Sequence, residues 1–174
     1  MTALLRAVPW FAQDPERLQR DKDEVVGFAP DLVFVDPGAE LEEGGWAGTL
    51  PLWPFEREVP EGIEESVPRG LEVVVEYTSA YPMVPPNVHP VSPLPETYER
   101  SQSDWHVLPH GPLCLFQSTG QWRPEASITE LLLKAAGWRL EYYLMKRELI
   151  PRMTESGIVS SGELDHLLSE SVLG

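Results

Sequence analysis

An α+β fold, with helices at both ends of the chain and an antiparallel sheet between them, is predicted from three features of the sequence. A capped amphipathic segment lies at Pro15–Phe28, a run of β-branched segments separated by turn residues follows, and the strongest helical periodicity spans Ala126–Leu149. Strands grouped in one run, rather than alternating with helices, argue for segregated α and β layers. With 174 residues, 42% of them hydrophobic and six of them tryptophan, the chain is long enough to bury a core and short for two ordinary domains. Residues 1–174 therefore read as one domain, its core over about 15–150 and a C-terminal extension over 151–174.

The elements follow in order. Asp14 is placed to cap a helix over Pro15–Phe28, with Leu18, Val25 and Val26 on one side and Arg17, Arg20, Lys22 and Glu24 largely elsewhere. Asp31–Val35, Trp46–Trp53 and Leu71–Thr78 read as strands, divided by turn signals such as Asp36-Pro37-Gly38 and Pro60-Glu61-Gly62, and the short links favour an antiparallel meander. In the third, Val73 and Val75 alternate with Glu72 and Glu76, as a half-buried pleated surface demands. The prolines after Thr78 remove backbone donors and argue against regular structure, leaving a stiff, extended connection with room for a short strand at Asn87–Val91. Ser127 and Glu130 form a capping-box pattern ahead of Ile128, Leu131, Leu132, Ala135, Trp138, Tyr142, Met145 and Leu149 at helical spacing. Pro151 stops that helix, and a short one is expected around Gly162–Leu168.

A formal charge of −15 and a pI near 4.5 repel polyanions, and no basic stripe overrules them, so neither nucleic acid nor a membrane surface is an expected partner. Met1–Trp10 lacks a full leader-type apolar region and no apolar run reaches the roughly 20 residues of a membrane span, so the expected location is cytoplasmic. Cys114 is the one cysteine, which excludes an internal disulfide and a thiolate metal cluster. A buried inert thiol, a reactive nucleophile and an intermolecular bridge remain open. Leu113-Cys114-Leu115-Phe116 is an apolar run, which favours burial; His106 and His110 are near in sequence, and an imidazolium lowers a thiol's pKa.

Three motifs resolve the setting by resemblance. Tyr81-Pro82-Met83-Val84-Pro85-Pro86 resembles the Tyr-Pro-x-x-Pro-Pro element that follows the third strand of ubiquitin-conjugating enzymes. Gly111-Pro112-Leu113-Cys114-Leu115 is similar to that family's Gly-x-x-Cys-Leu active-site segment, and Trp122-Arg123-Pro124 to the Trp-x-Pro that begins eight residues after the cysteine and leads into a helix. The resemblance covers about residues 15–150. It implies the ubiquitin-conjugating fold: an N-terminal helix, an antiparallel β-meander, an active-site cysteine loop and a long C-terminal helix. The family's asparagine, eight residues before the cysteine, is replaced here by His106, and the segment before the thiol is lengthened by an insertion that includes Ser92–Arg100. Both departures resemble the bacterial branch of the family, which accompanies activating enzymes in antiphage or ubiquitin-like conjugation operons.

The resemblance implies that Cys114 accepts the C-terminal carboxylate of a ubiquitin-like protein as a thioester from an activating enzyme and passes it to an amine of a target protein, with no metal and no cofactor. His106 is the candidate oxyanion donor or general base, and His110 the reserve candidate. Trp122 and Pro124 are expected to wedge the thiol loop above the capped helix, with Tyr81, Pro85 and Pro86 fixing the opposite wall. Arg17 and Arg20 are the candidate docking cations for the activating enzyme, against the alternative of a solvated helix face. Two rival functions are a catalytically silent scaffold of the same fold and a thiol hydrolase in which Asp104 orients a histidine.

Overall fold

In the computed structural model, which describes residues 7–116, 120–154 and 157–170, Asp14 caps the main N-terminal helix as its side chain predicts. Residues 1–6 of the stretch read for a leader, 117–119 beside the thiol, and 155–156 and 171–174 of the C-terminal extension lie outside the described residues. A one-turn helix, α1 (Trp10–Gln13), precedes α2 (Pro15–Phe28). The Asp14 carboxylate accepts the Arg17 backbone N–H at 3.0 Å, and Pro15 fills the first turn, where an N–H has no helical partner.

The inward stripe of α2 differs from the expected one. Arg17, Asp21 and Val25 are buried, whereas Val26 is 67% exposed and Leu18 only half-buried. Residues four apart share a helix face, so Arg17 and Asp21 project with Val25, while Val26 is turned about 100° away. Arg17 is therefore not a surface cation, which corrects its assignment to partner docking. Its guanidinium pairs with Asp21 (Nε–Oδ1 3.0 Å), meets the Tyr81 hydroxyl at 3.0 Å and donates to the carbonyls of Pro124 and Ala126. Asp21 in turn accepts from Tyr77 at 2.7 Å and Tyr81 at 2.6 Å, and Tyr77 accepts from the Trp46 indole at 3.0 Å. Burial pushes the Asp21 carboxyl up, and the tyrosine and guanidinium donors act against that shift.

The sheet has the order β1-β2-β3-β4, all pairs antiparallel, with β1 at Val33–Val35, β2 at Gly45–Thr49, β3 at Glu72–Glu76 and β4 at Asn87–Ser92, and a one-turn helix, α3 (Ile63–Ser66), between β2 and β3. The second strand ends before the apolar run does. Leu50 still donates to the Leu71 carbonyl at 2.8 Å, but Pro51 has no N–H with which to continue. The short strand expected at Asn87–Val91 is present as β4, one residue longer; it lies at the sheet edge, where Pro90 leaves no ladder partner without a donor. The row Phe34, Trp46, Val75, Val88 faces the core and the neighbouring row Val33, Ala47, Val74, His89 faces outward, as a period of two requires.

α4 (Ile128–Lys146) is buried on almost all sides and shares one apolar core with α2 and the sheet. The Ser127 hydroxyl accepts from the Thr129 N–H at 3.1 Å and bonds the Glu24 carboxylate at 2.6 Å, tying the cap of α4 to α2. The helix ends at Lys146 and Leu149 is 40% exposed, so the apolar periodicity overshoots its end. The insertion before the thiol is pinned by Glu99, which is buried and accepts from Lys146 at 2.8 Å and Tyr142 at 2.8 Å; these donors outweigh desolvation and hold its carboxyl low.

Beyond Pro151 the chain returns to the core. α5 (Gly157–Ser160) and α6 (Asp165–Glu170) bury Ile158 and Leu168, and Met153 joins them, so the apolar core extends past residue 150. Arg57 clamps this segment, bridging both Asp165 oxygens at 2.6 and 2.9 Å and donating to the Ile158 carbonyl at 2.7 Å.

Removing the Arg17 guanidinium while leaving Asp21 strands a buried carboxylate. Arg17→Met is expected to cost about 3–5 kcal/mol in urea unfolding, and Asp21→Asn with Arg17→Met together less than the two single changes summed. A loss under 1 kcal/mol for Arg17→Met would show that the pair is dispensable.

Candidate active site

The thiol is carried by a short hairpin that the local sequence shapes. Two 3-10 turns, Glu99–Ser101 and Ser103–Trp105, run into His106, whose φ of 49° and ψ of 41° reverse the chain. Histidine is among the non-glycine residues enriched in this left-handed region. The His106 carbonyl then accepts the Cys114 N–H at 2.8 Å, Val107 bridges Leu113, and the Leu108 N–H donates to Pro112 at 2.8 Å. Gly111, at φ 118°, closes the tip by donating to the Leu108 carbonyl at 2.9 Å. The Leu113 N–H bonds the Val88 carbonyl at 2.8 Å, docking the hairpin on β4.

This geometry separates the two histidines. His106 stands directly across the hairpin from Cys114, and both line the same two cavities. His110 is exposed at the tip and lines neither of them. Cys114 is half-buried, neither sealed in the core nor fully open.

One cavity is an open groove of about 970 Å³ that runs from Arg100 and Gln102 past Leu108 and between the hairpin and the Ile150–Thr154 segment to Cys114. The other is small, about 30 Å³, with room for a water molecule, and its floor is one face of α4: Lys134, Gly137, Trp138 and Glu141. Thr154, Gly157 and Val159 form its far wall. The close approach of α5 to α4 depends on Gly137, since a Cβ there would lie 2.8 Å from Val159 Cγ2.

Lys134, Glu141 and Thr154 were not among the residues singled out in the sequence. The available signal was two charged positions, Lys134 and Glu141, seven residues apart and in phase with Trp138 on an otherwise apolar face of α4. Glu141 is 3% exposed and accepts from the Thr154 hydroxyl at 2.7 Å and the Thr154 N–H at 3.1 Å. Burial pushes its carboxyl up against those donors. The Lys134 ammonium lies 5.4 Å from the centroid of the Phe116 ring, two residues past the thiol.

Trp122 ties two of the motif segments to the residues just past the thiol. The Trp122 indole donates to the Pro82 carbonyl at 2.8 Å and packs edge-on against Phe116, with ring centroids 5.6 Å apart. Tyr81 and Pro86 are buried and Pro85 is half-buried; Pro124 is half-buried, its carbonyl held by Arg17. Arg20 lies on the surface of α2, paired with Glu24 at 2.7 Å. Among the described residues no group of His, Cys, Asp and Glu side chains is arranged to hold a metal ion, and no helix is long and apolar enough to cross a membrane. Comparison with protein-family models, curated proteins and solved structures finds no match for the chain.

A carboxyl raised by the fold favours folding below its unfolded value, near 4.5, and that contribution is lost as pH rises through the folded value. Glu141→Gln removes this titration while retaining a carbonyl for Thr154. The stability of the variant relative to wild type is therefore expected to improve as pH rises above 4.5 and to level off once the folded carboxyl has ionised, in paired urea titrations; a pH-independent difference would contradict a buried, raised Glu141.

Proposed function

We propose that the protein is a conjugating enzyme of the ubiquitin-conjugating type: Cys114 carries a ubiquitin-like protein as a thioester, received from an activating enzyme, and transfers it to an amine of a target. One observation carries this reading. The three segments that resemble the family's motifs are linked to one another, Trp122 bonding the Pro82 carbonyl and packing on Phe116, two residues past a half-buried thiol that stands across from His106 on an open groove. The α+β frame, with its antiparallel four-stranded sheet and long helix after the thiol, is compatible with the ubiquitin-conjugating fold.

The parts divide the chemistry as follows. The groove is of a size that accepts an extended carboxy-terminal tail leading to Cys114. Attack by an amine on the thioester places negative charge on the carbonyl oxygen, and His106, across the hairpin, is the donor assigned to that oxygen. Its left-handed backbone also suits the asparagine found at this offset in the family, because asparagine tolerates the same conformation. Tyr81, Trp122 and Pro124 are positioning residues that hold the hairpin's surroundings. With Arg17 buried, Arg20 is the remaining candidate of the two for contact with an activating enzyme. The expected setting is a bacterial ubiquitin-like conjugation or antiphage system.

Intact mass under non-reducing conditions, with ATP, an activating enzyme and a ubiquitin-like protein from the same genome, tests the reading. An adduct of modifier mass, released by thiols and missing in Cys114→Ala, is the expected result; its absence with a demonstrably active activating enzyme would move the assignment to a silent scaffold. Single-turnover transfer to free lysine should fall about 10²-fold in His106→Ala and within tenfold of wild type in His106→Asn, which keeps a donor. A His106→Asn variant as slow as His106→Ala would reassign the imidazole to proton abstraction.

A further inference from the structure

The groove that ends at Cys114 has the opposite electrostatic character from the chain that builds it. The chain carries 28 acidic and 13 basic residues, yet the groove is lined by two arginines, Arg100 and Arg152, and one aspartate, Asp104. The arginines come from different segments, Arg100 from the 3-10 turn Glu99–Ser101 and Arg152 from the stretch after α4. Neither is in an ion pair among the described residues, whereas Arg17, Arg20, Arg57 and Lys146 each hold a carboxylate. Arg100 is half-buried: its Nη2 donates to the Pro95 carbonyl at 3.2 Å, and its Nε–H is buried without a partner. Water solvates such a cation poorly, so a carboxylate on its outer nitrogens gains more than it would at a fully solvated guanidinium. Arg152 is exposed, and Leu108, Ile150 and Met153 add apolar lining.

From this arrangement we infer that the groove selects its occupant by charge: the C-terminal tail that reaches Cys114 carries acidic side chains upstream of its last residues, and Arg100 and Arg152 bind them. The inference rests on reading Cys114 as the carrier of a ubiquitin-like protein, and it adds the chemistry of the tail that the carrier accepts. A planar guanidinium suits a carboxylate, which it can meet with two parallel N–H bonds. A cleft with unpaired charge of one sign concentrates the opposite sign within it even when the whole surface repels that sign. A tail with lysine or arginine at the same positions leaves both guanidinium groups unpaired and sets like charges side by side, so the groove rejects basic tails as well as attracting acidic ones.

Synthetic tails test this without the modifier in hand. Alanine-based acetyl hexapeptides ending in Gly-Gly are prepared as mercaptoethanesulfonate thioesters, with glutamate or lysine at each upstream position in turn. Initial rates of thiol-reversible acylation of Cys114 in the full-length protein are read by intact mass, and binding of the corresponding peptide amides to Cys114→Ala is read by NMR shifts. At one upstream position or more, glutamate should be taken about tenfold faster than lysine at low ionic strength, with the advantage shrinking in molar salt. The net charge of −15 alone predicts the reverse order, which makes the preference diagnostic. The ratio should fall at least threefold in Arg152→Glu, an exposed position where the fold is kept, and reverse in Arg100→Gln with Arg152→Glu. Lysine peptides as fast as glutamate peptides at every position, or a preference unchanged in both variants, would overturn the inference and leave the carrier reading intact. No acylation of Cys114 by any peptide, with glutamate amides still preferred by Cys114→Ala and that preference lost on Arg152→Glu, would overturn the carrier reading and leave the selectivity of the groove standing; no preference among the amides either would overturn both.

Discussion

The buried pair Arg17–Asp21 is the constraint on which the surroundings of the thiol depend. A buried ion pair is tolerable only when its remaining donors and acceptors are also satisfied. Here the Asp21 carboxylate takes Tyr77, Tyr81 and Arg17, and the guanidinium takes Tyr81 and the carbonyls of Pro124 and Ala126. Each partner belongs to a different part of the chain: the residue after β3, the turn after it, and the lead into α4. Meeting the needs of one charge pair therefore places the segments on both sides of the thiol hairpin relative to α2. The cost of burying the charges is offset by making these segments interdependent, and Trp122 extends the same tie to the Pro82 carbonyl.

Within that frame the hairpin itself is a local structure. The left-handed turn at His106, the Cys114 N–H on the His106 carbonyl and the closure at Gly111 involve residues at most eight apart. Such a unit holds the imidazole and thiol in a short register, but it does not by itself make a site. The walls come from elsewhere: α4 supplies Lys134, Gly137 and Glu141, and the segment after Pro151 supplies Thr154 and Val159. Glu141 joins these two walls, since its carboxylate holds Thr154, and Arg57 secures the outer end of the segment through Asp165. The thiol is half-buried and lines both the small cavity at this wall and the open groove.

How far each element was legible depended on the range of its physical cause. Asp14, Pro15 and Ser127 mark helix starts through contacts within a turn, and both long helices begin where those residues place them. The alternation of Val73 and Val75 with glutamates identified β3 because a pleat imposes its period locally. Arg17 was misplaced on the surface because a charge on a helix is ordinarily solvated, and the acceptors beyond Asp21 that make its burial tolerable lie more than 60 residues away. Val26 and Leu149 were drawn into apolar faces by the spacing of apolar residues, whereas their angular position or the helix end turns them outward. The segment after Pro151 is fastened not only by its apolar residues but by Arg57 and Glu141, partners outside it that nothing in its own sequence announces.

The sequence by itself determined the α+β class, the order of strands and long helices, and the loop that holds the single cysteine, because caps, periodicity and proline chemistry act over a few residues. Only the tertiary structure decided which of two nearby histidines stands across from the thiol, that Arg17 is an interior residue, and that Lys134 and Glu141 share a cavity with Cys114. These are matters of which groups meet after distant segments pack. Side chains separated by 20 residues or more in sequence become neighbours only when burial of the common core and satisfaction of its few charges select one arrangement of the chain.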